Sequence, residues 1–195
     1  MLNDINSSTA ASPTVRRNSL TCIMTFEQEI QPIINYLGQN GFTVTEQFPN
    51  FVHLESDKTS FVFSKDPREE GSSIYVGRKG SLTHILQPEI YERVFKANFN
   101  SIDSFPENFI QFLEGNGHSL ITGDSKTLKS IEEVSHELAL KYTDELLRRQ
   151  RINQLEQLWE KKDYVGFIKL MDQTDEKILP QFYSLRYNIA KKRIT

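Results

Sequence analysis

Residues 42–80 read FTVTEQFPNFVHLESDKTSFVFSKDPREEGSSIYVGRKG, and the alternation inside this stretch decides the fold class. Apolar and polar residues exchange places with a period of two, the spacing that sends successive side chains to opposite faces of a strand. Phe42–Phe48, Phe51–Glu55, Thr59–Ser64 and Ser73–Arg78 carry the pattern, with Val52, Leu54, Phe61, Phe63, Ile74 and Val76 as its apolar members. The breaks between them are polar and short: Pro49-Asn50, Ser56-Asp57-Lys58, and a longer turn from Asp66 to Gly71. Short strands joined by short turns give an antiparallel meander. The expectation is therefore a sheet of about four strands with one apolar face.

Such a face needs a helical cover, and both flanks offer one. On the N-terminal side Thr25 to Gln28 fits a capping box, and Phe26, Ile30, Ile33, Ile34 and Leu37 follow at helical spacing. Pro32 is expected to kink this helix or delay its start, and Gly41 to stop it. After Gly80 the pattern reads as helical to the end. Pro88 and Pro106 stand where first helical turns begin. Gly115-Asn116-Gly117 ends one helix, and a short extended piece is expected before the next. A second capping box, Ser130 to Glu133, lies near the start of a long helix. Its stripe runs Leu128, Ile131, Val134, Leu138, Tyr142 and Leu146, continued by Ile152, Leu155 and Trp159. Tyr164, Phe167, Ile168 and Met171 mark a further helix, and Leu185 and Ile189 a last one. The fold class predicted is α+β: an N-terminal helix, a small antiparallel sheet and a mostly helical C-terminal half. The chain divides into a disordered tail at 1–23, a sheet domain at 24–125, and a helical region at 126–195 packed on it. Met24 directly precedes the first structured pattern and is a candidate start.

Trp159, Tyr164 and the apolar stripe after them resemble one tetratricopeptide hairpin. No second copy follows at a fixed period, and solenoids need about three repeats to bury their faces. The resemblance implies packed helical hairpins over the last part of the chain.

Composition narrows the class further. The chain has 195 residues, with 37% hydrophobic and 11% aromatic side chains, enough for a sizeable core. No run of about 18 apolar residues predicts a membrane span. The lone Cys22 fits a reducing compartment, so the expected address is the cytoplasm. Residues 1–125 carry 9 Lys+Arg against 15 Asp+Glu, a balance of −6, whereas residues 126–195 carry 14 against 11, a balance of +3. An acidic front and a mildly basic back can steer a partner.

No motif for catalysis emerges. The four histidines, His53, His84, His118 and His136, do not pair at i+3 or i+4, and there is no CxxC, so no metal or cofactor is expected. His53 reads as a satisfied sheet residue. Cys22 sits in the tail, away from any base. The segment Gly115–Thr127 lacks the Gly-Lys pair of a phosphate-binding loop, since Asp124 follows Gly123. Arg148, Arg149 and Arg151 form a basic cluster without aromatics that stack on bases, so no nucleic acid is expected. The leading expectation is a non-catalytic protein-binding module, more specifically an intracellular inhibitor or immunity protein that neutralises a basic toxin. Its carboxylates would stand where a nuclease expects phosphates. Glu55, Asp57, Asp66, Glu69 and Glu70 on the sheet turns are the candidate partner-binding residues. One alternative is a hydrolase- or nuclease-like enzyme centred on Asp66–Glu70 with Tyr75 and Arg78. The other is a scaffold whose hairpins dock a partner in a groove lined by Trp159, Tyr164 and Phe167.

Overall fold

The computed structural model describes residues 25–68, 71–97, 105–175 and 179–194. The predicted tail, Cys22, Glu69 and Glu70 lie outside the described residues.

Helix α1 spans Phe26–Gln39. Its start is fixed by the reciprocal box: the Gln28 amide donates to Thr25 Oγ1 at 3.3 Å, and the Thr25 amide donates to Gln28 Oε1 at 3.0 Å. Pro32 lies inside the helix and does not delay its start, because this box has already satisfied the first amides. Five antiparallel strands follow in the order β1-β2-β3-β4-β5: β1 Thr43–Phe48, β2 Phe51–Glu55, β3 Thr59–Lys65, β4 Ser72–Arg78 and β5 Thr83–Ile85. The meander is as expected, with a strand more than the alternation showed. β5 has only three residues, too few for a period to register, so the stretch after Gly80 had read as helix.

Helices α2 (Pro88–Phe95), α3 (Phe105–Glu114) and α4 (His118–Thr122) come next, then α5 (Ser125–Glu160), α6 (Tyr164–Asp172) and α7 (Phe182–Ile194). α4 replaces the predicted extended piece: Gly123, at φ +65°, closes one short turn before the chain enters α5. The N-cap of α5 is Asp124, whose carboxylate accepts from the Thr127 amide and hydroxyl, both at 2.8 Å. These bonds hold the Asp124 carboxyl below its ordinary pKa. The Ser130–Glu133 box therefore lies one turn inside the helix rather than at its start.

Two apolar cores result. In the first, Val52, Leu54, Phe61, Phe63, Ile74 and Val76 from one sheet face pack with Ile30, Ile33 and Leu37 of α1 and with Phe109 and Leu113 of α3. Aromatic rings carry much of this volume: Phe109 meets Phe61 and Phe63 edge-on at centroid distances of 6.2 and 5.8 Å. Leu128 and Ile131 of α5 complete it, with Val134 and Leu138 against its edge. The second core gathers Leu155 of α5, Phe167 and Met171 of α6, and Tyr183 and Ala190 of α7. Residues 139–151 of α5 contribute to neither. Tyr142 and Leu146, expected on a buried stripe, are 71% and 43% exposed there, because the stripe runs on past its packing partner. No helix among the described residues is long and apolar enough to cross a membrane.

Candidate functional site

The sheet face turned away from α1 and α3 is open. Directly opposed residues of an antiparallel ladder share a face, so the pairing defines what stands on it. One row runs Thr43, Glu55, Ser60, Gly77, Thr83, and the next runs Glu46, His53, Val62, Tyr75, Ile85. Phe48, Phe51, Ser64 and Ser73 make the third.

Glu46 reaches this face through a β-bulge. Val44 pairs with Leu54, but Glu46 pairs with His53, so Thr45 is an extra residue in β1. In an unbroken register Thr45 would oppose His53 and Glu46 would oppose Val52 on the helix-covered side. Thr45 is anchored by its hydroxyl, which donates to the His53 carbonyl at 3.3 Å. Bulges of this kind re-aim a side chain next to a site. A second local device lies across the sheet. Gly77 has no side chain, and the turn after β4 folds against it: a Cβ there would lie 2.5 Å from the Leu82 carbonyl oxygen. Ser81, Leu82 and Thr83 thereby form a wall facing Glu46, His53 and Glu55. Between the two lies a cleft of about 530 Å³, floored by Ser60 and Val62, with Phe51 and Tyr75 also lining it.

Its polar groups are connected. His53 Nε2 lies 2.6 Å from Ser60 Oγ and 3.5 Å from Glu55 Oε1. Glu55 Oε2 is 3.8 Å from Lys79 Nζ, a loose pair at a half-exposed ammonium. Glu46 and Glu55 both line the cleft. A nucleophilic relay holds the nucleophile and the orienting carboxylate on opposite imidazole nitrogens. Here both contacts fall on Nε2, and Ser60 is only 2% exposed. The cluster builds a fixed polar floor rather than a presented hydroxyl. Among the described residues no three His, Cys, Asp or Glu side chains converge to hold a metal ion.

Of the residues singled out in the sequence, Glu55 lines the cleft and Asp57 occupies the adjacent β2–β3 turn, whose amides at Lys58 and Thr59 donate to Ser56 Oγ. Asp66 follows β3 at the opposite end of the sheet, about 20 Å away along a seven-residue strand. Its Oδ1 accepts from the Arg68 amide at 2.9 Å, an ordinary turn contact. Glu55 and Asp57 therefore stand apart from Asp66, and Glu69 and Glu70 lie outside the described residues. Nor does the alternative centre assemble among the described residues. Tyr75 lies in the cleft, whereas Arg78 donates to the Ser125 carbonyl at 3.4 Å at the end of β4 remote from Asp66. Glu46 and Ser60 escaped the sequence reading, and His53, read there as a satisfied sheet residue, is bonded to Ser60 as part of the cleft. His53 and Glu55, two apart in one strand, were a legible sign of a shared face; the bulge behind Glu46 was not.

The helical hairpin closes on itself. Phe167 is fully buried, and the Trp159 ring meets it at a tilt at 5.3 Å and meets Tyr164 edge-on at 5.7 Å. Arg186 lies over the Trp159 ring at 5.1 Å and donates to Glu156 at 2.7 Å, while Tyr183 donates to the same carboxylate oxygen at 2.5 Å. The Arg186 bond, then that of Tyr183, holds the Glu156 carboxyl below its ordinary range, and burial raises the Tyr183 phenol. Of the three aromatics expected to line a docking groove, Phe167 is buried, while Trp159 and Tyr164 are half-buried against the second core.

No protein-family profile matches the chain, and no curated protein and no solved structure shows significant similarity to it.

Proposed function

We propose that the chain is a protein-binding module that captures a protruding lysine or arginine of a partner protein in the cleft on the open face of its sheet. One observation carries the reading: an extra residue in β1 turns Glu46 onto the same face as Glu55, over an apolar and hydrogen-bonded floor. Lysine and arginine have apolar stems and charged heads. Val62, Tyr75 and Phe51 suit the stem, and Glu46 and Glu55 suit the head. The acidic balance of residues 1–125 favours encounter with a basic protein. The partner class is a basic intracellular protein such as a nuclease toxin, with this chain as its inhibitor.

A photo-crosslinker in place of Leu82, which is 83% exposed on the cleft wall, tests the reading in the native host. Crosslinked peptides are expected to contain Lys or Arg close to the attachment point, and the adduct is expected to disappear in the Glu46→Gln/Glu55→Gln variant. An adduct unchanged by those two substitutions refutes the proposal. A second reading, hydrolysis by His53 and Ser60, has the 2.6 Å contact in its favour. Ser60→Ala separates the two: unchanged capture favours binding, and capture of a substrate that accumulates only in this variant favours hydrolysis.

A further inference from the structure

Among the described residues, β1 is an edge strand that no helix or further strand covers along its outer side, guarded only by the Thr45 bulge and the charge of Glu46. All six of its residues are exposed, it contains no Lys or Pro, and Val44 and Phe48 stand 41% and 61% exposed. The other edge is guarded: β5 has three residues only, and α5 packs beside it. An exposed edge strand offers a row of backbone donors and acceptors to another chain. The same strand carries Glu46 at the mouth of the cleft.

We infer that β1 takes up an extended segment of the partner as a sixth strand, with a Lys or Arg of that segment standing beside Glu46. The inference rests on the protein-binding reading above and names the form in which the partner's basic residue arrives. An added strand lies about 4.8 Å outside β1, and its residue opposite Glu46 has a Cβ about 5 Å away on the open face. A lysine there spans to the carboxylate and lays its stem along the Glu46–His53 row. Two residues on, the segment meets Phe48, whose ring lies 5.9 Å from that of Phe51. The register therefore selects an alternating segment: basic, any residue, then aromatic or aliphatic. A second copy of this chain is a poorer occupant. Antiparallel self-pairing of β1 centred on Glu46 brings two Glu46 carboxylates together, and like charges on facing strands are destabilising.

The probe is the peptide acetyl-Thr-Phe-Thr-Lys-Thr-Phe-Thr-amide, which presents the same alternation in either direction. It is titrated into the full chain while backbone amide shifts and hydrogen exchange are followed by NMR. Binding is expected to slow exchange of the β1 amides at least tenfold at saturation. A peptide with Glu for Lys is expected to bind at least tenfold more weakly, as is the Lys peptide to Glu46→Gln. A version N-methylated at alternate amides, with the same side chains, is expected to lose binding. Equal binding of the N-methylated peptide overturns strand addition while leaving capture of a basic side chain intact. Affinity indifferent to the Lys/Glu exchange and to Glu46→Gln overturns both readings. Protection of β1 without peptide, rising with protein concentration together with a dimer mass, overturns the basic segment in favour of a second copy.

Discussion

Replacing Gly77 by alanine tests whether the cleft wall is set by backbone contact. Gly77 pairs with Ser60 on β3 and with Thr83 on β5, so it lies where the Ser81–Thr83 turn returns to the sheet. An alanine Cβ would sit 2.5 Å from the Leu82 carbonyl oxygen and 3.0 Å from the Thr83 Cα. A carbon and a carbonyl oxygen approach ordinarily to about 3.3 Å, so the turn must withdraw by about 0.8 Å. Both obstructing atoms are backbone, and no rotamer change relieves them. Withdrawal strains or breaks the Gly77–Thr83 pair, the end of a ladder only three residues long. Two ladder bonds at about 1 kcal/mol each put the loss near 2 kcal/mol, within the usual range for overpacking. For a chain of this size that lowers the melting temperature by about 4–8 °C. Differential scanning calorimetry reads the shift. Hydrogen exchange followed by mass spectrometry should show faster exchange across Thr83–Ile85 with β2 and β3 unchanged. A melting temperature within about 1 °C of the parent, with unchanged exchange at β5, refutes the argument, since overpacking costs at least about 1 kcal/mol.

Two other outcomes follow from the packing and the charges. Phe109→Ala opens a hole between Phe61 and Phe63 in the first core and should lower stability by about 3–5 kcal/mol in urea titrations, whereas Val44→Ala on the exposed edge should stay within about 0.5 kcal/mol of the parent. Glu156, held by Arg186 and Tyr183 below the ordinary carboxyl value of about 4.3, contributes stability above that pH and loses it as pH falls through the lower folded value. Glu156→Gln should therefore flatten the acid limb of a stability–pH profile below about pH 4.3, and an acid limb as steep as the parent's would count against the network.

The sheet was legible because its strands bury one face: Val52, Leu54, Phe61, Phe63, Ile74 and Val76 alternate with polar partners, and period two leaves few other solutions. Where the pattern is short, the reading failed. Thr83-His84-Ile85 makes too few alternations to register, and Gly117 to Gly123 makes one helical turn that punctuating glycines disguised as a loop. In the long helix the stripe was read correctly as a stripe, yet periodicity cannot say where its partner ends, so Tyr142 and Leu146 seemed buried. The candidate site was legible only in part. Glu55 was selected as a turn carboxylate, but its partners come from register: Ser60 is opposite it, and His53 is beside it on the same strand face. Glu46 depends on a single inserted residue, and no feature of TVTEQF announces which residue is the extra one. Asp66 was grouped with Glu55 because they are close in sequence, while an antiparallel strand carries its two ends far apart.

Helix α5, about 54 Å long at 1.5 Å per residue, has a further consequence. Because residues 139–151 are continuous helix that neither core grips, they act as a shaft whose rotational phase is set by residue count alone. Inserting or deleting one residue there would swing α6 and α7 through about 100° of azimuth relative to the sheet, and a change of seven would restore the heading to within about 20°. Length variants of this shaft should be tolerated in sevens and resisted singly wherever both ends must engage the same object.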